Sequence, residues 1–121
     1  MQTGRSFLDD AQVRTSLPER RREVRRVCRV SAVVRMEGLP PMKGRTVDIS
    51  PAGVALVLPR PFRPGSICHV SFTLYMNGAL RKIEAGAEVT NCVFLSADVR
   101  IGLRFVSLDE STLNMLSEFV R

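Results

Sequence analysis

Five arginines stand close together near the start of this sequence: Arg20, Arg21, Arg22, Arg25 and Arg26. Twenty-two residues after Arg26 comes Asp48-Ile49-Ser50-Pro51-Ala52-Gly53. A guanidinium grips a phosphate with two parallel hydrogen bonds. The same fork matches O6 and N7 of guanine. A carboxylate such as Asp48 accepts from the N1–H and N2–H₂ edge of guanine, or from an arginine, and Ser50 adds a hydroxyl for phosphate or backbone. Gly53 permits a positive φ or the close approach of a ligand. Together the two segments have the chemistry to hold a ligand that is both phosphate and guanine.

Each segment also has a plainer account. The arginines could be a solvated basic run or a nonspecific nucleic-acid arm. Asp, Ser, Pro and Gly are the usual residues of a tight strand connection. Arg21/Arg25 and Arg22/Arg26 both have the spacing RxxxR. Such partners lie roughly 13 Å apart on extended chain and about 6 Å apart on one face of a helix.

Charge points the same way as the motifs. The 121 residues carry a net charge of +6. Residues 1–35 hold nine arginines against Asp9, Asp10, Glu19 and Glu23, so +5 of that total sits on the first segment. The balance favours an anionic partner. The cysteines Cys28, Cys68 and Cys92 are odd in number and widely spaced, with no CxxC. We therefore expect reduced thiols in a cytoplasmic protein. No apolar run is long enough for a transmembrane helix, and no signal-peptide core opens the chain.

The elements that must position these residues read as mostly β. Residues 1–18 are polar and mixed and are expected to form a flexible N-terminal arm, with a helical turn near Ser6–Arg14 closed by Pro18. Residues 19–121 form one domain of ordinary size. Strands are expected over 27–36, 43–49, 53–58, 66–74, 80–95 (bent near Gly86) and 98–106. In the first, Cys28, Val30, Ala32, Val34 and Met36 share one face and Arg29, Ser31, Val33 and Arg35 the other. In the second, Val47 and Ile49 should point inward. Pro59, Pro61 and Pro64 make a loop, and Asn77-Gly78 a hairpin turn. Ser107-Leu108-Asp109-Glu110 matches a capping box. Leu113, Leu116 and Val120, flanked by Phe119, recur at helical spacing, which predicts an amphipathic helix over about 109–120. Six or more short antiparallel strands and one helix suggest a small barrel, the helix lying on its wall or across an open end.

Catalytic chemistry has little footing. His69 is the single histidine, so a zinc or acid–base site lacks its second member. Ser50 has no Gly-x-Ser-x-Gly setting. The cysteines look like small core residues. Asp9/Asp10 read as a solvated pair and Asp109/Glu110 as helix-start charges. No Walker or dinucleotide fingerprint is present.

The segments ERRREVRRV and DISPAG, in that order, resemble the marks of the PilZ domain, RxxxR followed some twenty to thirty residues later by [D/N]xSxxG. The resemblance runs from about Glu19 to Val120, and Ile101-Gly102-Leu103-Arg104-Phe105-Val106 is similar to the family's last strand. It implies a six-stranded antiparallel β-barrel with a C-terminal α-helix. It also implies a non-enzymatic receptor for cyclic di-GMP, a bacterial second messenger, with no cofactor. Carried over, Asp48, Ser50 and Gly53 complete a guanine site, and Arg21, Arg22, Arg25 and Arg26 hold phosphates and guanine faces. Aligning the ERRR start favours Arg21/Arg25; aligning Val27 favours Arg22/Arg26. The expected action is that ligand binding orders the arginine arm, which then signals by contact with a downstream protein in motility or biofilm control. The alternative is a nucleic-acid-binding barrel with a basic arm, which would want an aromatic stacking platform that one Tyr and six Phe do not evidently supply.

Overall fold

The computed structural model describes residues 24–121. The N-terminal arm, its helical turn, Arg21 and Arg22 therefore lie outside the described residues. Seven strands, β1 (Arg26–Val27), β2 (Ser31–Arg35), β3 (Met42–Ile49), β4 (Gly53–Leu58), β5 (Ile67–Met76), β6 (Ala79–Phe94) and β7 (Val99–Ser107), are followed by one helix, α1 (Glu110–Phe119). The order β3-β2-β5-β6-β7-β4, with β3 also paired to β4, closes a six-stranded antiparallel barrel. The short β1 adds to the far end of β3, pairing Arg26 with Ile49 and Val27 with Asp48. Closure leaves no long unpaired edge.

The barrel closes because side chains alternate. Cys68, Val70, Phe72 and Leu74 of β5 and Ile83, Ala85, Ala87 and Val89 of β6 point into one core with Ile49, Leu56, Ile101 and Leu103. Asn77 (φ 52°) and Gly78 (φ 77°) join β5 to β6. Both φ values are positive, which is the tight turn an Asn-Gly pair favours. The prolines of 59–64 lie in the connection between β4 and β5, as expected.

Three local expectations are corrected. The single strand over 27–36 is broken between β1 and β2. Thr46 is the cause. Its hydroxyl donates to the Cys28 carbonyl and accepts from the Val30 N–H at 2.9 Å, inserting a side chain where a ladder bond would run. The same region of β3 shifts register against β4 between Thr46 and Asp48. A bulge of this kind re-aims the residues beyond it. Thr46 is therefore buried while Val47, expected inside, is only half-buried. Second, the helix is capped by Asp109, whose carboxylate accepts from the Thr112 N–H, and not by Ser107, which still belongs to β7. These bonds to Thr112 hold the Asp109 carboxyl below its ordinary range. Third, Thr112, Leu116 and Phe119 form the buried face of α1, whereas Leu113 is exposed. Leu116, Phe119 and Val120 join the barrel core, so the helix seals the wall beside the end where β3 turns into β4.

Thr46→Val keeps the volume and removes the bridge. It leaves the Val30 N–H and the Cys28 carbonyl without their hydroxyl partner, which should cost about 1–3 kcal/mol. Urea unfolding measures it. Thr46→Ser, which keeps the oxygen, should recover most of the loss. Equal loss in both variants would mean that packing of the methyl, not the bridge, holds this corner.

Candidate functional site

Asp48 lies just past the β3 bulge, on the outer surface of the barrel. The pairing register continues across the wall from Asp48 to Ala55 of β4, Gly102 of β7 and Asn91 of β6. Ala55 is covered but takes no part in the core cluster. Small residues at 55 and 102 thus leave a shallow floor between larger neighbours. Its walls are Arg25 and Asp48 on one side, Thr90 and Asn91 on the other, with Arg100 and Arg104 along β7. Two adjoining clefts result, of about 240 Å³ and about 430 Å³, sharing Arg25, Thr90, Asn91 and Leu103.

The electrostatics centre on Asp48, whose side chain is 17% exposed. Arg25 donates from Nη1 to Oδ1 at 2.7 Å, and Arg100 Nη2 stands 3.5 Å from Oδ2. This carboxylate therefore holds two guanidiniums from different parts of the chain at one point. Arg104 pairs with Glu88 next door. Among the described residues three arginines face two carboxylates, and the two arginines paired at short range are about half exposed. Their forks remain within reach of an incoming anion.

The β6 wall comes from a second irregularity. The register of β6 against β7 shifts between Val89 and Asn91, so Thr90 and Asn91 both reach toward Gly102. Thr90 donates to the Gly102 carbonyl at 3.1 Å. A Cβ on residue 102 would stand 2.8 Å from Asn91 Nδ2 and 3.0 Å from Thr90 Oγ1, so a larger residue would push these two side chains out of their present positions. Sequence reasoning did not name Thr90, Asn91, Arg100 or Arg104 as site residues. The readable signal was Arg100-x-Gly102-x-Arg104 on a strand, because a period of two puts all three on one outward face.

The residues singled out in the sequence divide into four groups. Arg25 and Asp48 meet at the cleft. Ser50 and Gly53 build the turn beside it. The fully buried Ser50 hydroxyl accepts from the N–H groups of Ala52 (3.1 Å) and Gly53 (3.0 Å), and the Ser50 N–H donates to the Gly53 carbonyl. Gly53 lines the larger cleft, and the close approach it permits is that of the Leu103 carbonyl, with no positive φ. Arg26 turns elsewhere, donating to the Phe119 carbonyl at 2.7 Å. Arg21 and Arg22 precede the described residues.

Other reactive groups stay out of the site. Burial pushes the Cys68 thiol up to about 11, and burial also raises Cys28, against the opposing pull of Arg26. Thiols so shifted are poor nucleophiles at neutral pH. His69 faces Glu84 on the β5–β6 surface. Among the described residues no cluster of three or more His, Cys, Asp or Glu is placed to hold a metal, and no helix is long and apolar enough to cross a membrane. A larger groove of about 580 Å³ lies at the other end of the barrel, but among the described residues its lining is Leu39, Met42, Phe62 and four prolines, with only Lys43 and Arg60 charged. A doubly anionic ligand would find few partners there.

Comparison with known proteins agrees with this architecture. No curated protein matches the chain in sequence. Among solved structures, the chain is similar to the Bacillus subtilis inhibitor of motility MotI/DgrA, with a TM-score of 0.73 at 21% identity. It is similar also to Escherichia coli YcgR in complex with c-di-GMP, with a TM-score of 0.69 at 15% identity. Each match covers 84% of this chain but only 49% and 44% of those proteins, so the chain spans about half their length. The PilZ domain of YcgR with c-di-GMP, alone, is covered to 88%, with a TM-score of 0.64 and 13% identity. The PilZ domain model matches residues 19–121. With the closed barrel, the terminal helix and that match over most of its length, this chain belongs to the PilZ domain family.

Proposed function

We propose that this chain is a non-enzymatic receptor for cyclic di-GMP and that the cleft around Asp48 is its binding site. The observation that carries the reading is the Arg25–Asp48 contact, which brings the two sequence segments together over a floor of Ala55 and Gly102. Two phosphodiesters bring two negative charges. Arg25 and Arg100, held side by side by Asp48, supply forks for one of them, each bond being charge-assisted. The Asp48 carboxylate, once exchanged from arginine to ligand, suits the N1–H and N2–H₂ edge of guanine, and the Asn91 amide and Thr90 hydroxyl suit its remaining donors and acceptors. Ser50 and Gly53 act by fixing the turn.

Arg25 stands at the cleft and Arg26 does not, which favours Arg21/Arg25 as the working pair. Residues 19–26 then join the domain when ligand is bound, with residues 1–18 ahead of it as an arm. Binding draws Arg21 across the cleft toward Asp48 and orders the arm, and the surface so formed is read by a downstream protein in the bacterial cytoplasm. The nucleic-acid alternative gains no support at the cleft, since none of the described residues lining it is aromatic.

Isothermal titration of the whole chain tests the reading. Cyclic di-GMP should bind at micromolar concentration or tighter, and GMP, with one phosphate and one guanine, should not compete at equal concentration. Absence of heat with cyclic di-GMP would sink the proposal. Tighter binding of an oligonucleotide, with a steep salt slope, would move it to the nucleic-acid reading.

A further inference from the structure

Two adjacent arginines, Arg25 and Arg26, take opposite assignments. Neighbouring residues of an extended segment point to opposite sides. Arg25 turns to Asp48 at 2.7 Å. Arg26 turns to the end of α1 and meets one residue there in two ways: Nη1 donates to the Phe119 carbonyl at 2.7 Å, and the guanidinium carbon sits 4.2 Å from the centroid of the Phe119 ring. Phe119 is buried and belongs to the barrel core. The last turn of α1 carries no basic residue of its own. The C-terminal carbonyls of a helix are electron-rich and favour a cation. Here the cation comes from a residue 93 positions earlier in the chain.

We propose that Arg26 is a positioning residue that fastens the arginine segment to the C-terminus of α1, and thereby holds Arg25 at the Asp48 cleft. Among the described residues, the segment is also held by the Arg25–Asp48 bond and the β1–β3 pairing. Val24 and Val27 are exposed, and β1 is two residues long. Among the described residues, a charge-assisted hydrogen bond combined with a cation–π contact ties it to the helix. The consequence for binding rests on the cyclic di-GMP reading above; the tie itself does not. Because coupling between sites is reciprocal, a partner protein that grips the end of α1 and displaces Arg26 weakens ligand binding, and bound ligand strengthens the docking of α1. The helix end is thus the route by which the cleft reports its state.

Two measurements on the whole chain test this. Amide hydrogen exchange, without ligand, reads the tie directly. The Cys28 N–H bonds to the Val47 carbonyl at 3.0 Å beside β1 and reports opening of the segment. In Arg26→Ala its exchange should quicken about tenfold, equivalent to about 1.4 kcal/mol, while Arg81→Ala, exposed on β6, leaves it unchanged. Unchanged exchange in Arg26→Ala overturns the proposal. Titration with cyclic di-GMP then reads the consequence. Arg26→Ala should weaken binding about tenfold. In a Phe119→Leu background, which keeps an apolar core side chain but removes the ring, the further loss from Arg26→Ala should be smaller. Full additivity of the two substitutions would mean that Arg26 acts on binding independently of the Phe119 ring, and would overturn the positioning role as stated. If the parent chain binds no cyclic di-GMP yet exchange quickens as stated, the receptor reading falls and the fastening of the arm to α1 stands.

Discussion

Arg25→Ala is expected to weaken cyclic di-GMP binding about a hundredfold or more while lowering the stability of the fold by less than about 1 kcal/mol. The two magnitudes come from the same side chain in two settings. In the free chain Arg25 is 47% exposed and its bond to Asp48 is an ion pair near the surface. Such pairs contribute little, because solvent screens them and ordering a long side chain costs entropy. Asp48 also keeps a second guanidinium, that of Arg100 at 3.5 Å, so losing Arg25 does not strand a half-buried carboxylate. Against a phosphate the balance differs. Two parallel bonds to an anion, each worth about 1.5–3 kcal/mol, are lost without replacement. Arg25→Lys keeps the charge and loses the fork, so it should fall between the parent and alanine. Thermal unfolding and titration on the same samples separate the two effects. A large drop in stability with unchanged affinity would make Arg25 a structural residue and remove it from the site.

That separation also shows which parts of the site were legible in the sequence. Arg25 and Asp48 were singled out as charges able to act together, although each segment had a plainer account, and the structure brings the two into contact. The barrel was legible as well. Alternation along β5 and β6, Asn77-Gly78 between them and the prolines of 59–64 are local signals with local causes. What the sequence hid depends on pairing between distant strands. The Thr46 hydroxyl breaks the strand at Cys28–Val30 only because β3 lies alongside. Nothing near Val47 announces that a bulge will exchange its place with Thr46. Thr90 and Asn91 reach the cleft through a register shift against β7. The cap moved from Ser107 to Asp109 because β7 keeps Ser107 as its partner for Gly86. Arg26 was indistinguishable from Arg25 until the end of the helix, far along the chain, gave it a partner.

Gly53→Ala is expected to cost about 3 kcal/mol or more, a large share of the roughly 5–15 kcal/mol that holds a domain of this kind. The reason is spatial. A Cβ at residue 53 would be driven into the Leu103 carbonyl oxygen, and would also stand 3.2 Å from that carbonyl carbon and 3.3 Å from the Arg104 Cα. All three are backbone atoms, so no rotamer relieves the overlap. Neither strand has freedom to move. Gly53 pairs with Arg104, its N–H is held by the Ser50 hydroxyl, and its carbonyl accepts from the Ser50 N–H. Gly38 supplies the control. Its φ of +82° disfavours alanine, but nothing lies within 4 Å of the added carbon, so Gly38→Ala should cost only about 1–2 kcal/mol of backbone strain. Urea unfolding of the two variants ranks them, and equal losses would refute the steric account. The ranking bears on function. The glycine of the Asp48–Gly53 segment then acts by letting β7 close against β4, which sets the spacing of Ala55, Gly102 and Arg104 along the cleft proposed to bind ligand. Where enough Gly53→Ala protein remains folded at low temperature, its affinity should fall with the displacement of Arg104 and not through loss of any bond from residue 53 itself.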